Sequence, residues 1–442
     1  MKKWSGFNYK FEIGEKVILF NTLNEGVVEL DKYIYDKAFV ALDNKQSECA
    51  DFFEFSELSK MGFIVDKEKQ EFRDYYNSML EGMNKSDSLY ITIMTTTSCN
   101  FTCSYCYENG IDKQISISDN VIEELCKYMS DYILANNTKN VYICLFGGEP
   151  TLFWEKAIEA LKKIKIVCEV HNTILSTSIL TNGFLLDKQK IMDLLPFNFS
   201  EAKITLDGTK EYHDARRRTA DHKATFDTIF SNLKEILENS NARIALSTNC
   251  DKYNAKSIPA LIKEIHDNLG NERVGFHFRV LSDSLIETKE DVETNNYIHS
   301  HTLSEDEYIK NTLKISDILN HYGFETPDFY SYEGLCMAKN KHSFILHPNG
   351  DIYKCISLVG RSNYSFGNIE DFKGIDSHFL SELFEECIEK ECCFLPLCNT
   401  GCRSKSITKH GDISKIVCDK TTFEEINKKI IHKIIVSRGV SV

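Results

Sequence analysis

Six β-rich runs, LYITIM, VYICLF, LSTSIL, AKITLD, RIALST and VGFHFRV, recur between Leu89 and Val280, with helical patterns such as DNVIEELCKYMSDYIL and FDTIFSNLKEIL between them. Strands that alternate with helices of this length imply βαβ units and a parallel sheet. Six units fall short of a closed eight-stranded barrel, so the expected fold class is α/β, a partial (β/α)6 TIM-like barrel open at one side. Polar motifs follow the runs in order: TTTSCNFTCSYC, GGEP, TNG, DG and TNCDKYN. In parallel α/β architectures chemistry collects at the carboxyl ends of the strands, so these loops are expected to face one cavity.

A chain of 442 residues exceeds what one core usually supports, and blocks flank the central one. The first, residues 1–86, opens with a hairpin signal, VILF and GVVEL around the turn-like NTLNEG, followed by two amphipathic segments and the polar stretch LEGMNKSDS. The expected division is 1–86, 87–310 and 311–442. No apolar run reaches spanning length, and the opening MKKWSGFNYKFEIGEK lacks a signal-peptide core, so a cytoplasmic protein without a membrane partner is expected. A net charge of -14 argues against a nucleic-acid partner, whose affinity comes largely from Lys and Arg.

Sixteen cysteines in a reducing compartment point to metal binding or catalysis and away from disulfides. Cys49, Cys126, Cys144, Cys168 and Cys250 stand singly and read as small buried hydrophobes. The other eleven are clustered, and CNFTCSYC holds the first three, Cys99, Cys103 and Cys106. Three thiolates in one loop leave one iron of a 4Fe-4S cluster without a protein ligand. A closed zinc site is the competing reading, but it wants four ligands and no fourth lies nearby in sequence.

The CxxxCxxC triplet, with Tyr105 before its last Cys, resembles the radical S-adenosylmethionine (radical SAM) superfamily. The resemblance implies that the open iron takes the amino and carboxyl groups of S-adenosyl-L-methionine. One electron from an external reductant, such as flavodoxin or ferredoxin, then yields a hydrogen-abstracting 5′-deoxyadenosyl radical. Gly147, Gly148 and Glu149 look like the family motif that holds the methionine end. Asn182, Thr205 and Asp207 lie where its ribose and methionine ends are approached, with ordinary turn and cap chemistry as the alternative. His213, Asp214 and Arg216 resemble a common stretch of the subfamily, expected as a solvated helix face or a structural ion pair.

From Cys336 the chain runs thirteen residues to Gly350 and four more to Cys355; later come Cys392, Cys398, Cys402 and Cys418. This resembles the SPASM extension of radical SAM enzymes, which implies two auxiliary clusters and three 4Fe-4S clusters in all. A zinc ribbon would explain four thiolates, whereas this region holds eight. Carried over by position, Cys336, Cys355 and Cys402 bind the first auxiliary cluster, and Cys392, Cys398 and Cys418 the second. Glu389 stands where the family has a further Cys, so Cys387 is the substitute. No Cys lies between Cys336 and Cys355 as a fourth ligand. An open iron, Cys393, and more remotely His342 or His347 remain alternatives there.

The first block resembles, by layout, the winged-helix-like recognition element of ribosomal-peptide maturases, which captures a leader peptide as an added strand. The whole resembles thioether-forming maturases of the sactipeptide and ranthipeptide type, implying an enzyme that joins a Cys sulfur to a carbon in a precursor peptide. The alternatives are an anaerobic sulfatase-maturating enzyme that forms formylglycine, another SPASM dehydrogenase, and a multi-cluster electron carrier without substrate chemistry. A carrier closes its clusters with four ligands and needs no GGEP pocket. No residue outside the motifs stands out as a catalytic acid or base.

Overall fold

The structure, a computed structural model, describes residues 1–43, 53–84, 87–281, 283, 285–326, 330–331, 336–375 and 378–437; Cys49 lies outside them. They form two compact units, Met1–Asn84 with Pro327–Cys336 and Ser377–Val442, and Lys85–Thr326 with Met337–Asp376. Among the described residues no helix is long and apolar enough to cross a membrane.

In the first unit β1 (Lys2–Trp4) pairs with β5 (Ile64–Asp66), while β2 (Asn8–Ile13), β3 (Lys16–Asn21) and β4 (Gly26–Asp31) form an antiparallel meander. The hairpin expected from VILF and GVVEL is β3–β4. Its central strand is apolar on both sides, as a strand covered on both faces must be. Val17 and Leu19 pack with Leu58, Phe63 and Ile64, whereas Ile18 and Phe20 pack with Phe394, Phe423 and Ile431 of the C-terminal segment. The meander is thus cored from both ends of the chain. Leu80–Asn84, read from sequence as part of a polar closing stretch, are the last residues of the helix Glu71–Asn84.

The second unit is built on eight strands: β6 (Ser88–Met94), β7 (Asn140–Phe146), β8 (Ile174–Thr181), β9 (Phe199–Thr205), β10 (Arg243–Cys250), β11 (Val274–Val280), β12 (Ser343–Leu346) and β13 (Ile352–Tyr353). Their order is β11-β10-β9-β8-β7-β6-β12-β13, with β6 to β12 all parallel and β13 antiparallel. The six expected runs are β6–β11. Each lies beside its predecessor, so successive crossovers step one way and place their helices on one face. Leu89, Ile91 and Ile93 of β6, Val141, Ile143 and Leu145 of β7, and Ile244 and Leu246 of β10 share one core with Leu125, Leu161, Leu233 and Leu261 of those helices. The period-2 partners of these residues look to the other, inner face.

Two strands were not expected. β12 continues the sheet beyond β6, with Ser343 opposite Tyr90, and its four residues SFIL are all buried. A four-residue run without alternation carries no periodic signal, so only its parallel pairing identifies it as a strand.

Candidate active site

Beyond β6 the chain enters the cysteine loop, and that loop is locked to the one following β7. Gly148 N donates to Thr96 O at 2.9 Å and Glu149 N to Ser98 O at 2.8 Å. A Cβ on Gly147 would lie 2.5 Å from Thr96 O, and one on Gly148 2.4 Å from Ser98 O. Only glycine permits that approach of two backbones. The cysteine loop is also tied to the segment after β9, through Thr102 N to Arg218 O at 3.0 Å.

Glu149 is wholly buried. Its Oε1 accepts from Thr151 N at 3.1 Å, Thr151 Oγ1 at 2.6 Å and Thr181 Oγ1 at 2.6 Å, and its Oε2 accepts from Asn182 N at 2.7 Å. Burial raises its pKa, and these donors offset the rise. The carboxylate therefore cross-links the ends of β7 and β8, and only Oε2 keeps a lone pair for a ligand. Asn182 Nδ2 donates to Asn100 Oδ1 at 2.8 Å, joining the TNG turn to the residue after Cys99.

Tyr105 and Asp207 are hydrogen bonded. Asp207 also accepts from Asn249 N at 2.9 Å and faces Arg216 Nε at 3.5 Å, and Arg216 Nη1 donates to Asp251 Oδ2 at 2.7 Å. Arg217 Nη1 donates to Tyr105 Oη at 2.8 Å, while the Arg216 guanidinium lies 4.5 Å from the Tyr105 ring centroid. His213 accepts from Asp207 N at 3.2 Å, and burial pushes it down to about 3, so it is neutral near pH 7. The HDARR stretch is therefore a buried ion-pair network and not a solvated face. Sequence reasoning passed over Arg217 altogether, although three consecutive arginines beside a strand-end motif were a usable signal. Arg216 Nη2 and Arg217 Nε are buried donors without a hydrogen-bond partner among the described residues.

The thiols fit a cluster in their chemistry. Burial pushes Cys99 and Cys106 up to about 12 and raises Cys103, so without metal all three are protonated, and binding must expel those protons. Among the described residues no three donors converge as a single-ion cage. A four-iron cluster needs no such point, since each Cys meets a different iron. The carboxyl ends of β6–β9 thus bring together Cys99, Cys103, Cys106, Tyr105, Gly147, Gly148, Glu149, Asn182 and Asp207. Thr205 is the last residue of β9, half-buried and opposite Ser247.

Cys355 lies in the barrel unit just before Ile356–Leu358. Tyr107 is half-buried there, and desolvation, then Glu108 and the thiol of Cys106, with that of Cys355 a lesser cause, raise its pKa. In the other unit, burial first and then the thiols of Cys392, Cys398 and Cys418 push Cys387 up to about 12, which makes these four near neighbours. Arg403, buried there, donates to Ile413 O at 2.9 Å and Lys415 O at 3.1 Å; its pKa is lowered by burial, against Cys402, Cys336, Cys398 and Cys387. The carbonyl of Cys393 accepts from Thr22 Oγ1. His342 Nδ1 is hydrogen bonded to Tyr132, and His347 Nδ1 to Asn349 at 2.6 Å.

Residues 93–263 match the family model described as the radical SAM superfamily. A cysteine-type anaerobic sulfatase-maturating enzyme of Clostridium novyi (strain NT) is 24% identical over 379 residues, 76% of this chain and 94% of that protein. The radical SAM cyclopropyl synthase TigE of Paramaledivibacter caminithermalis is 24% identical over 459 residues, 91% of this chain and 90% of that protein. The solved structure of native anSMEcpe with bound AdoMet and Kp18Cys peptide matches with a TM-score of 0.62 at 20% identity, covering 79% of this chain and 99% of that one. At this identity the likeness shows the fold.

Proposed function

We propose, from the premise that this chain is a radical SAM enzyme through its domain at residues 93–263, that it modifies a ribosomally made precursor peptide by joining a Cys sulfur to a carbon of another residue. The observation that carries the peptide reading is the first unit. Its strand β4 pairs only with β3 among the described residues, which leaves an edge for an added strand. Asp31, Lys32, Ile34, Ala38, Phe55 and Leu58 line a cleft of about 550 Å³ beside it. The similarity to TigE spans 91% of the chain, whereas anSMEcpe matches 79% and leaves about a fifth without counterpart. A leader-binding, winged-helix-like role for residues 1–86 is part of the same proposal and rests on the edge strand and its cleft.

A 4Fe-4S cluster on Cys99, Cys103 and Cys106, with S-adenosylmethionine bound, supplies a hydrogen-abstracting carbon radical. The chain does the rest. Gly147 and Gly148 keep backbone against backbone so that the loop approaches closely. The uncommitted N–H groups of Arg216 and Arg217 are donors for an anionic group, and Phe101, packed edge-on to Phe184, walls off water. Two auxiliary clusters belong to the same proposal, on Cys336, Cys355 and Cys402 and on Cys387, Cys392, Cys398 and Cys418, with an open iron or Cys393 as the alternatives for the fourth position of the first. A SPASM-type C-terminal region, a cytoplasmic setting and flavodoxin or ferredoxin as reductant complete it.

Formylglycine formation is the second reading, and the similarity to the Clostridium novyi enzyme favours it. Mass spectrometry of a Cys-containing precursor after turnover decides. Thioether formation removes two hydrogens and leaves no alkylatable thiol while the sulfur stays. Loss of sulfur with a new hydrazide-reactive aldehyde would replace the thioether reading by the maturase one.

A further inference from the structure

After Cys106 the chain makes a tight turn over residues 107–111, in which Asn109 N donates to Cys106 O at 3.1 Å and Ile111 N to Glu108 O at 3.3 Å. This turn is pressed against the start of the helix Lys289–His301. Asn109 Nδ2 donates to Thr294 Oγ1 of that helix at 3.0 Å and reaches back to Cys103 O at 3.4 Å. A Cβ on Gly110 would lie 2.5 Å from both Asp291 Oδ2 and Thr288 Oγ1, so the backbone there leaves no room for a side chain.

A second segment, the one that leaves Cys355, meets the same turn. Ile111 and Val359 share one apolar cluster, and a Cβ on Gly360, at φ +79°, would lie 2.9 Å from Ile111 Cγ2. The next residue is Arg361, which is 4% exposed. Its Nη1 donates to Gly110 O at 3.2 Å and to Glu287 Oε2 at 3.4 Å, while its Nη2 donates to the buried Asp291. Asp291 is fixed in turn by the amides of Glu287 at 3.1 Å and Thr288 at 2.9 Å, and by Thr288 Oγ1 at 3.0 Å. One guanidinium thus ties together the turn after Cys106, the helix after β11 and the segment after Cys355. Its rigid fork serves a carbonyl and two carboxylates at once, whereas an ammonium is a point charge on a flexible stem.

We propose that Arg361 is a positioning residue for S-adenosylmethionine binding at the cysteine triplet, holding the backbone of Cys103 and Cys106 in place from the segment that carries Cys355. The inference rests on the radical SAM reading of the triplet and adds to it a residue that lies outside every motif of the sequence. The Cys99 end of the triplet is already fixed on the loops of β7 and β8, through Ser98 O to Glu149 N and through Asn100 to Asn182. A ligand that must reach both iron on the triplet and the pocket around Glu149 needs the two walls at a set separation. Arg361 fixes the Cys106 end. A buried ion pair gains little in stability over packed apolar side chains, and fixing one geometry is what this one adds.

The test uses the reconstituted holoenzyme and two variants, Arg361→Gln and Arg361→Lys, the second of which keeps a cation beside Asp291. Binding of S-adenosylmethionine is measured by calorimetry and by the change it causes in the electron paramagnetic resonance spectrum of the dithionite-reduced protein. Hydrogen exchange in residues 107–111 is read by mass spectrometry. Arg361→Gln is expected to bind S-adenosylmethionine about tenfold more weakly and Arg361→Lys about threefold, both with an altered spectral change and iron content near that of the wild type. Exchange in the turn should quicken about tenfold in both, while the helix Asp119–Asn136 keeps its wild-type rate. Unchanged exchange in Arg361→Lys overturns the proposal, because the turn then does not depend on the guanidinium. So does faster exchange with unaltered affinity and spectrum, which would leave Arg361 a part of the fold alone. Should Arg361→Gln fail to fold, Arg361→Lys decides by the same two criteria. A wild type whose reduced spectrum does not respond to S-adenosylmethionine counts against the radical reading, and the exchange measurement, which needs no cofactor, still decides whether Arg361 holds the turn.

Discussion

Tyr105, within the cysteine triplet, and Asp207, two residues past the end of β9, are hydrogen bonded to each other at the mouth of the sheet. The bond joins the loop meant to hold a cluster to the loop of the TLDG motif, and Arg217 reinforces it from the phenol side. Tyr105→Phe removes the shared hydroxyl and leaves the buried Asp207 oxygen facing Arg216 alone. Urea unfolding should show a loss of about 1–3 kcal/mol, the range for a buried partner left unsatisfied. Deoxyadenosine formation should fall while iron content stays near that of the wild type. Unchanged stability would show the contact to be passive.

Changing Cys99, Cys103 and Cys106 together to Ala should abolish cleavage of S-adenosylmethionine. Iron held by the cysteines of the other unit should remain, because the triplet lies in the barrel unit and Cys387, Cys392, Cys398 and Cys418 do not. Iron analysis and a deoxyadenosine assay check both halves. Continued deoxyadenosine production would sink the assignment of the triplet.

Glu149→Gln tests whether that residue is primarily a cross-link. The amide puts a donor where three donors now converge or where Asn182 N–H points, so at least one buried hydrogen bond is lost. The expected cost is about 1–3 kcal/mol in unfolding, with weaker binding of S-adenosylmethionine as a consequence of the displaced loop. Weaker binding without any loss of stability would instead show a direct ligand contact.

The six central strands of the sheet were legible in the sequence because each has an alternating or apolar run, and a polar motif stands at the carboxyl end of each of the first five. The site loops were legible for the same reason. What escaped has a physical cause in each case. β12 is too short to show a period, and its pairing partner β6 lies more than two hundred residues earlier. Of the two readings of Arg216, the ion pair holds, and its partners Asp207 and Asp251 lie on other loops that no local pattern connects to it. The cross-linking part of Glu149 was invisible because its four protein donors come from Thr151, Thr181 and Asn182, two of these residues standing at the end of β8 and in the loop after it. The two-sided core of β3 depends on Phe394 and Phe423, which no local pattern connects to Phe20.

That core governs how the first block can be tested. Deleting residues 1–86 would bare Phe394, Phe423 and Ile431, so the truncated chain is expected to aggregate and to report on folding instead of recognition. Phe20→Ala should cost about 3–5 kcal/mol by leaving a cavity between two packed layers. A charge reversal in the cleft, Lys32→Glu, leaves that core intact because Lys32 is exposed. It should weaken binding of the precursor while uncoupled deoxyadenosine formation stays unchanged. Equal precursor affinity in that variant would remove Lys32 from the recognition surface.

His213 gives the molecule an acid-sensitive point. It is buried between the amide of Asp207 and Thr225, and burial holds its pKa down at about 3, with Arg217 adding to the effect. Unfolded, the same imidazole titrates near 6.5, so between about pH 6.5 and pH 3 the unfolded chain binds a proton that the folded chain refuses. Stability from this group is therefore complete above pH 6.5 and falls as the pH drops, by about 1.4 kcal/mol for each further unit within that window. Between pH 7 and 5.5 the wild type should lose about 1 kcal/mol that His213→Gln does not lose. Urea unfolding of both proteins at the two pH values measures the difference. Parallel curves would mean that His213 is protonated in the folded protein and that the Asp207 amide bonds elsewhere.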